Sequence, residues 1–170
     1  MTDFFIIGHR GAGGEKFENS MSGFKHALSL DINAIELDIH KHNGELWVIH
    51  DNELERLTGK SGLFSEVENP SDIRLLNGEP VPKLKQVLDL FWGKMPVNIE
   101  IKSFNTAALL LDLLDQYPAL APNPDFPWIL ISSFDHLTAN ICSSLARPEL
   151  LGFVRPCGNN TGSLSIGPSR

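Results

Sequence analysis

Cysteine is scarce: the 170-residue chain holds two, Cys142 and Cys157. Neither sits at a metal-ligand spacing, and Cys142 falls in an apolar helical pattern as a small buried hydrophobe, so neither is given any chemistry. Positive charge is also short, with 14 Lys and Arg against 21 Asp and Glu, a net charge of -7 and a pI near 5.3. That balance excludes an extended nucleic-acid surface or an anionic-membrane partner, because both reward clustered Lys and Arg. Long apolar runs are missing too. Phe4, Phe5, Ile6 and Ile7 make too short a run for a signal core, and no basic segment precedes them. Neither secretion nor a membrane span is expected, which makes a cytoplasmic location the default.

What the chain does have is enough apolar residue, 42%, to bury one sizeable core. One domain is expected over residues 1–154, followed by a Gly, Ser, Asn and Pro tail over 155–170 with little to bury. The most informative stretch is Ala34, Ile35, Glu36, Leu37, Asp38, Ile39, His40. Strand side chains alternate, so Glu36 and Asp38 share one face while Ile35, Leu37 and Ile39 share the other. Two like charges so close either raise a pKa or call for a cation, and hard oxygen ligands suit Mg²⁺ or Ca²⁺. An edge strand with a solvent-facing acidic pair would read the same way from this segment alone.

The remaining chain alternates strand and helix. Residues 4–8 read as a strand buried on both faces, ending in His9, Arg10 and Gly11. After a Gly-rich loop, Asn19 or Ser20 caps a helix running to about Leu30, with Phe24, Ala27 and Leu28 inward. Asn19 either caps this helix, the reading its residue type favours, or hydrogen-bonds within a site. His42, Asn43 and Gly44 mark a turn into Leu46, Trp47, Val48 and Ile49. A three-residue turn pairing Lys41 with Glu45 is expected, because it sets His50 across from Glu36; a two-residue turn would set it across from Leu37. Residues 52–80 read as a long functional loop with one short helical segment after Pro70. A helix over 84–92, a strand bearing Asn98, Glu100 and Lys102 on one face, a helix over 106–116, a strand over 128–134, a helix over 135–146 and a strand over 151–154 complete the series. Three polar residues on one face of a core strand must meet an ion or one another, since unpaired burial costs several kcal/mol. Such alternation is the sequence form of a (β/α) barrel, whose catalytic groups gather at the carboxyl ends of the strands.

Seven short motifs occur in order: His9-Arg10-Gly11, Glu18-Asn19-Ser20, Glu36-x-Asp38, His50-Asp51-x-x-Leu54-x-Arg56-x-Thr58-Gly59, Val81-Pro82-x-Leu84, Asn98-Ile99-Glu100-Ile101-Lys102 and Ser132-Ser133-Phe134. Together they resemble the glycerophosphodiester phosphodiesterase family, over residues 4 to about 154. The resemblance implies a barrel of the phosphatidylinositol-phospholipase-C type and hydrolysis of small glycerophosphodiesters to sn-glycerol 3-phosphate and an alcohol. Residue by residue, it implies Glu36, Asp38 and Glu100 as ligands of one divalent cation, Mg²⁺ or Ca²⁺. It implies His9 and His50 as acid and base, and Arg10 and Lys102 as phosphate contacts. His26, His40, His42 and His136 match no catalytic position.

A closed (β/α)8 barrel takes about 250 residues. The expected fold is therefore an incomplete (β/α)8 TIM-type barrel lacking the last two strand-helix units, whose open edges invite self-association. An inactive homologue that needs a partner to fold is the alternative expectation.

Overall fold

The computed structural model describes residues 4–121, 123 and 126–133, together with the backbone of 151–154. The strands are β1 (Ile7–Gly8), β2 (Ala34–His42), β3 (Glu45–Val48), β4 (Val97–Ile101), β5 (Ile129–Ser133) and β6 (Leu151–Val154). The helices are α1 (Met21–Ala27), α2 (Glu55–Thr58), α3 (Leu84–Phe91) and α4 (Ala107–Leu114). Strands β1, β2, β4, β5 and β6 pair in parallel in that order, and β3 pairs antiparallel with β2 off this path. The expected helix over 135–146, His136, both cysteines and the tail lie outside the described residues.

Alternation decides which face is greasy. Ile35, Leu37 and Ile39 of β2, Val97, Ile99 and Ile101 of β4, and Ile129 and Ile131 of β5 join one core with Phe24 and Ala27 of α1, Val87, Leu88 and Phe91 of α3, and Leu110 and Leu114 of α4. The helices thus cover one face of the sheet, as parallel strands require. Ser20 caps α1 by accepting from the Gly23 N–H at 3.1 Å. At α3 the Lys83 N–H, otherwise an orphan of the first turn, donates to the Gln86 side chain at 2.9 Å.

Three expectations change. The first strand shrinks to Ile7–Gly8, and Phe4, Phe5, Ile6 and Ile7 are exposed rather than buried on both faces. The reason is position: β1 pairs only with β2 and forms the sheet edge among the described residues.

The β2–β3 turn has two residues, not three. His42 pairs with Glu45, and Asn43 and Gly44 take left-handed φ of 49° and 73°, the two-residue geometry that Asn-Gly favours. The β3 strand ends at Val48, a last Ile49 N–H bond to the Asp38 carbonyl at 3.1 Å follows, and His50 lies beyond it.

Residues 52–80 form a packed lobe rather than a plain loop. Leu54, Leu57, Phe64, Ile73 and Leu75 build a second apolar cluster with Trp47, Ile49 and Val81. The turn after Pro70 occurs as expected, over Pro70–Asp72. The unexpected α2 has a sequence signal, Leu54 and Leu57 one turn apart and Gly59 closing the helix at φ 71°.

Candidate active site

Strand register brings the acids together. Glu36 and Asp38 lie two apart on β2, and β4 places Glu100 beside Asp38. Ligand oxygens of Glu36, Asp38 and Glu100 all lie within 4.8 Å of one another. Asp38 is 1% exposed and Glu36 7%. Next to Glu36 on β4 is Asn98, whose Oδ1 accepts from the Ser132 hydroxyl at 3.1 Å.

The loop after β1 wraps over this cluster. Arg10 and Gly11 adopt left-handed φ of 51° and 81°. That turn aims the Arg10 N–H at Glu36 Oε2, 2.8 Å away, and the Gly11 N–H at the Glu36 carbonyl, 3.0 Å away. His9 Nε2 lies 3.8 Å from Glu36 Oε2, on a ring whose side chain is 72% exposed. The Arg10 guanidinium places Nε 3.4 Å from Asp38 Oδ2, within ion-pair range but out of line for a hydrogen bond.

Lys102 reaches Asp38 Oδ1 at 3.2 Å and pairs closely with Glu100 Oε1. Burial alone would depress its pKa, but the Glu100 and Asp38 carboxylates outweigh burial and raise it.

Asn19 belongs to this site. Its Nδ2 donates to Asp38 Oδ2 at 3.0 Å, while Ser20 takes the capping role expected of one of the two. Its left-handed φ of 50° offers a sequence-level signal only in hindsight, because Asn tolerates that conformation in any turn.

His50 connects differently. Its Nδ1 pairs closely with Asp51 Oδ1, and its carbonyl accepts from His40 Nε2 at 2.9 Å. Among the described residues its hydrogen bonds run to Asp51 and His40 rather than to the three carboxylates. Since a carboxylate only accepts, Asp51 holds the proton on Nδ1 and leaves Nε2 as the ring atom able to take or give one. His40 is buried and its pKa is lowered, first by desolvation. His42 meets the Val67 carbonyl at 2.6 Å and His26 meets Glu15 at 2.6 Å, so these three histidines hold structure.

Burial pushes Glu36 up to about 7, with the neighbouring Asp38 charge adding to the rise. Glu36 Oε1 and Asn19 Oδ1 are buried acceptors without a hydrogen-bond partner, and Arg10 Nε is a buried donor without one. Orphaned acceptors beside clustered carboxylates suit a hard cation, and an orphaned guanidinium donor suits an anion. The donor set therefore fits one divalent ion.

A helix-covered parallel sheet with acidic and basic side chains converging at the carboxyl ends of its strands defines a (β/α)-barrel protein with a strand-end site. The model of the glycerophosphoryl diester phosphodiesterase family matches residues 9–146. The chain is 30% identical over 166 residues to a glycerophosphodiester phosphodiesterase of Caldanaerobacter subterraneus, covering 90% of this chain and 67% of that enzyme. It is 33% identical over 119 residues to a human lysophospholipase D, covering 61% of this chain and 38% of that protein. A crystal structure of an Agrobacterium tumefaciens glycerophosphodiester phosphodiesterase superposes with a TM-score of 0.68 at 26% identity, covering 84% of this chain and 63% of that one. The chain belongs to the glycerophosphoryl diester phosphodiesterase family. Its fold is that family's TIM-type barrel, incomplete relative to the solved structures.

Proposed function

We propose that this protein hydrolyses glycerophosphodiesters to sn-glycerol 3-phosphate and an alcohol, using one divalent cation, Mg²⁺ or Ca²⁺. The observation that carries the reading is the convergence of Glu36, Asp38 and Glu100 within 4.8 Å beside unpartnered polar atoms of both signs. Glu36, Asp38 and Glu100 would hold the cation. When bound, such an ion neutralises phosphate oxygens and acidifies a hydroxyl or water next to them.

The chain's own residues supply the rest. Arg10 presents its guanidinium to phosphate oxygens, and Lys102 adds a second positive charge where negative charge develops. In a protein of net charge -7, this local pair is what admits an anionic substrate. His9, largely open to solvent beside Glu36, and His50, held through Nδ1 by Asp51, act as the acid and base.

Release of sn-glycerol 3-phosphate from glycerophosphocholine tests this function. Turnover should disappear with EDTA and fall by about 10²–10⁴ in His9→Ala or His50→Ala. A folded, metal-supplied sample without turnover would overturn the reading. The identity with a lysophospholipase D favours one second reading, a lysophospholipid substrate. Turnover on matched lyso and deacylated substrates separates the two. The β1 edge, which pairs only with β2 among the described residues, and Phe4 at 83% exposed support self-association through that edge.

A further inference from the structure

Arg56 has no part in the chemistry above, yet every group of its fork is engaged. It sits on α2, in the lobe outside the sheet. Nη1 and Nη2 donate to the two oxygens of Glu18 at 2.8 and 2.7 Å, and Nε donates to Asp51 Oδ2 at 2.5 Å. Each of those carboxylates holds a residue of the proposed chemistry. Glu18 Oε1 accepts from Arg10 Nη1 at 2.9 Å, and Asp51 Oδ1 accepts from His50 Nδ1. One planar cation therefore joins the loop after β1, which carries Arg10, to the turn after β3, which carries His50.

We propose that Arg56 is a positioning residue that clamps Glu18 and Asp51, and through them fixes the direction of the Arg10 guanidinium and the Nδ1–H tautomer of His50. The proposal rests on the phosphodiesterase reading above for the roles of Arg10 and His50. Its physical basis is the guanidinium fork. Three donors in one plane can serve two carboxylates at fixed angles, which a lysine ammonium on a flexible stem cannot do. The Arg56 side chain is half exposed, and exposed ion pairs contribute little to stability, so the consequence of this pairing is geometric. Electrostatics agree. The Arg56 hydrogen bond is the largest influence holding the Glu18 carboxyl below its ordinary range, and burial of Asp51 is outweighed by its bonds to Arg56 and His50.

Arg56→Ala and Arg56→Lys in the full chain with Mg²⁺ test the clamp by two readouts. Ring-nitrogen NMR should show His50 as a single Nδ1–H tautomer in the unsubstituted protein and as a mixture in Arg56→Ala. Turnover of glycerophosphocholine should fall about tenfold to a hundredfold, as expected for misplaced catalytic groups, with the unfolding midpoint little changed. Arg56→Lys, which restores charge without the fork, should remain near Arg56→Ala in both. An unaltered His50 tautomer in Arg56→Ala, or full recovery in Arg56→Lys, would overturn the proposal. If the unsubstituted protein has no turnover, the phosphodiesterase reading fails, and the tautomer measurement still decides the clamp.

Discussion

Glu36 is held under electrostatic tension in the site. Its carboxylate is desolvated, faces Asp38, and keeps one buried oxygen unpartnered, and its pKa is pushed from 4.5 to about 7. In the metal-free folded protein Glu36 therefore retains a proton that the unfolded chain has already lost. Its stabilising contribution is full below pH 4.5 and fades as pH rises through about 7. Glu36→Gln removes this dependence. Denaturant unfolding in EDTA across pH 5 to 8 should show the unsubstituted protein losing about 2–3 kcal/mol relative to Glu36→Gln. Parallel pH profiles would contradict the burial argument. Residues placed by strand period were legible from the sequence, because alternation alone puts Glu36 with Asp38 and Asn98 with Glu100 and Lys102 on shared faces. Asn19 was not, since a helix cap and a hydrogen bond to Asp38 use the same amide, and only tertiary structure decides between them.

At the scale of the element, the β1 loop is the part that turns a sheet into a site. Gly8 ends β1 where a side chain cannot be tolerated: a Cβ there would run into the Gly11 carbonyl oxygen and crowd Ile32 at 3.0 Å. Gly8→Ala must push the loop outward, and with it His9 and the Arg10 N–H that binds Glu36. Turnover should drop about 10²-fold for a displacement near 1 Å, with a stability loss of about 1–3 kcal/mol by thermal unfolding. Unchanged turnover would show that the loop can shift without cost. The hairpin shows where reading by element runs out. Asn43 and Gly44 support either loop length, and only the longer one would set His50 opposite Glu36. The two-residue register stands because Asn43 and Gly44 both take left-handed φ and pair His42 with Glu45, and His50 lies past the end of β3. From sequence the segment 52–80 reads as loop for a related reason. Its apolar residues are spread over several short turns, and their cluster closes through Trp47, Ile49 and Val81 from outside the segment.

For the whole molecule, one face of the sheet is sealed by helices and the other gathers charge, while the β1 edge stays open among the described residues. Phe4, Phe5, Ile6 and Ile7 are all exposed along it, an apolar strip at a sheet edge of the kind that pairs with another chain. Sedimentation velocity over a wide concentration range should show reversible association that weakens in Phe4→Lys, a substitution that disturbs no core residue because Phe4 is 83% exposed. A species of constant size at every concentration would contradict a sticky edge.

The association of acids from two different strands is the point on which binding, chemistry and fold converge. Isothermal calorimetry of Mg²⁺ and Ca²⁺ against the full chain and Glu100→Gln measures it directly. One saturable site should appear in the unsubstituted protein, with affinity reduced about 10- to 100-fold when the β4 carboxylate loses its charge. Absence of binding, or equal affinity in Glu100→Gln, would mean that Glu36, Asp38 and Glu100 do not share an ion.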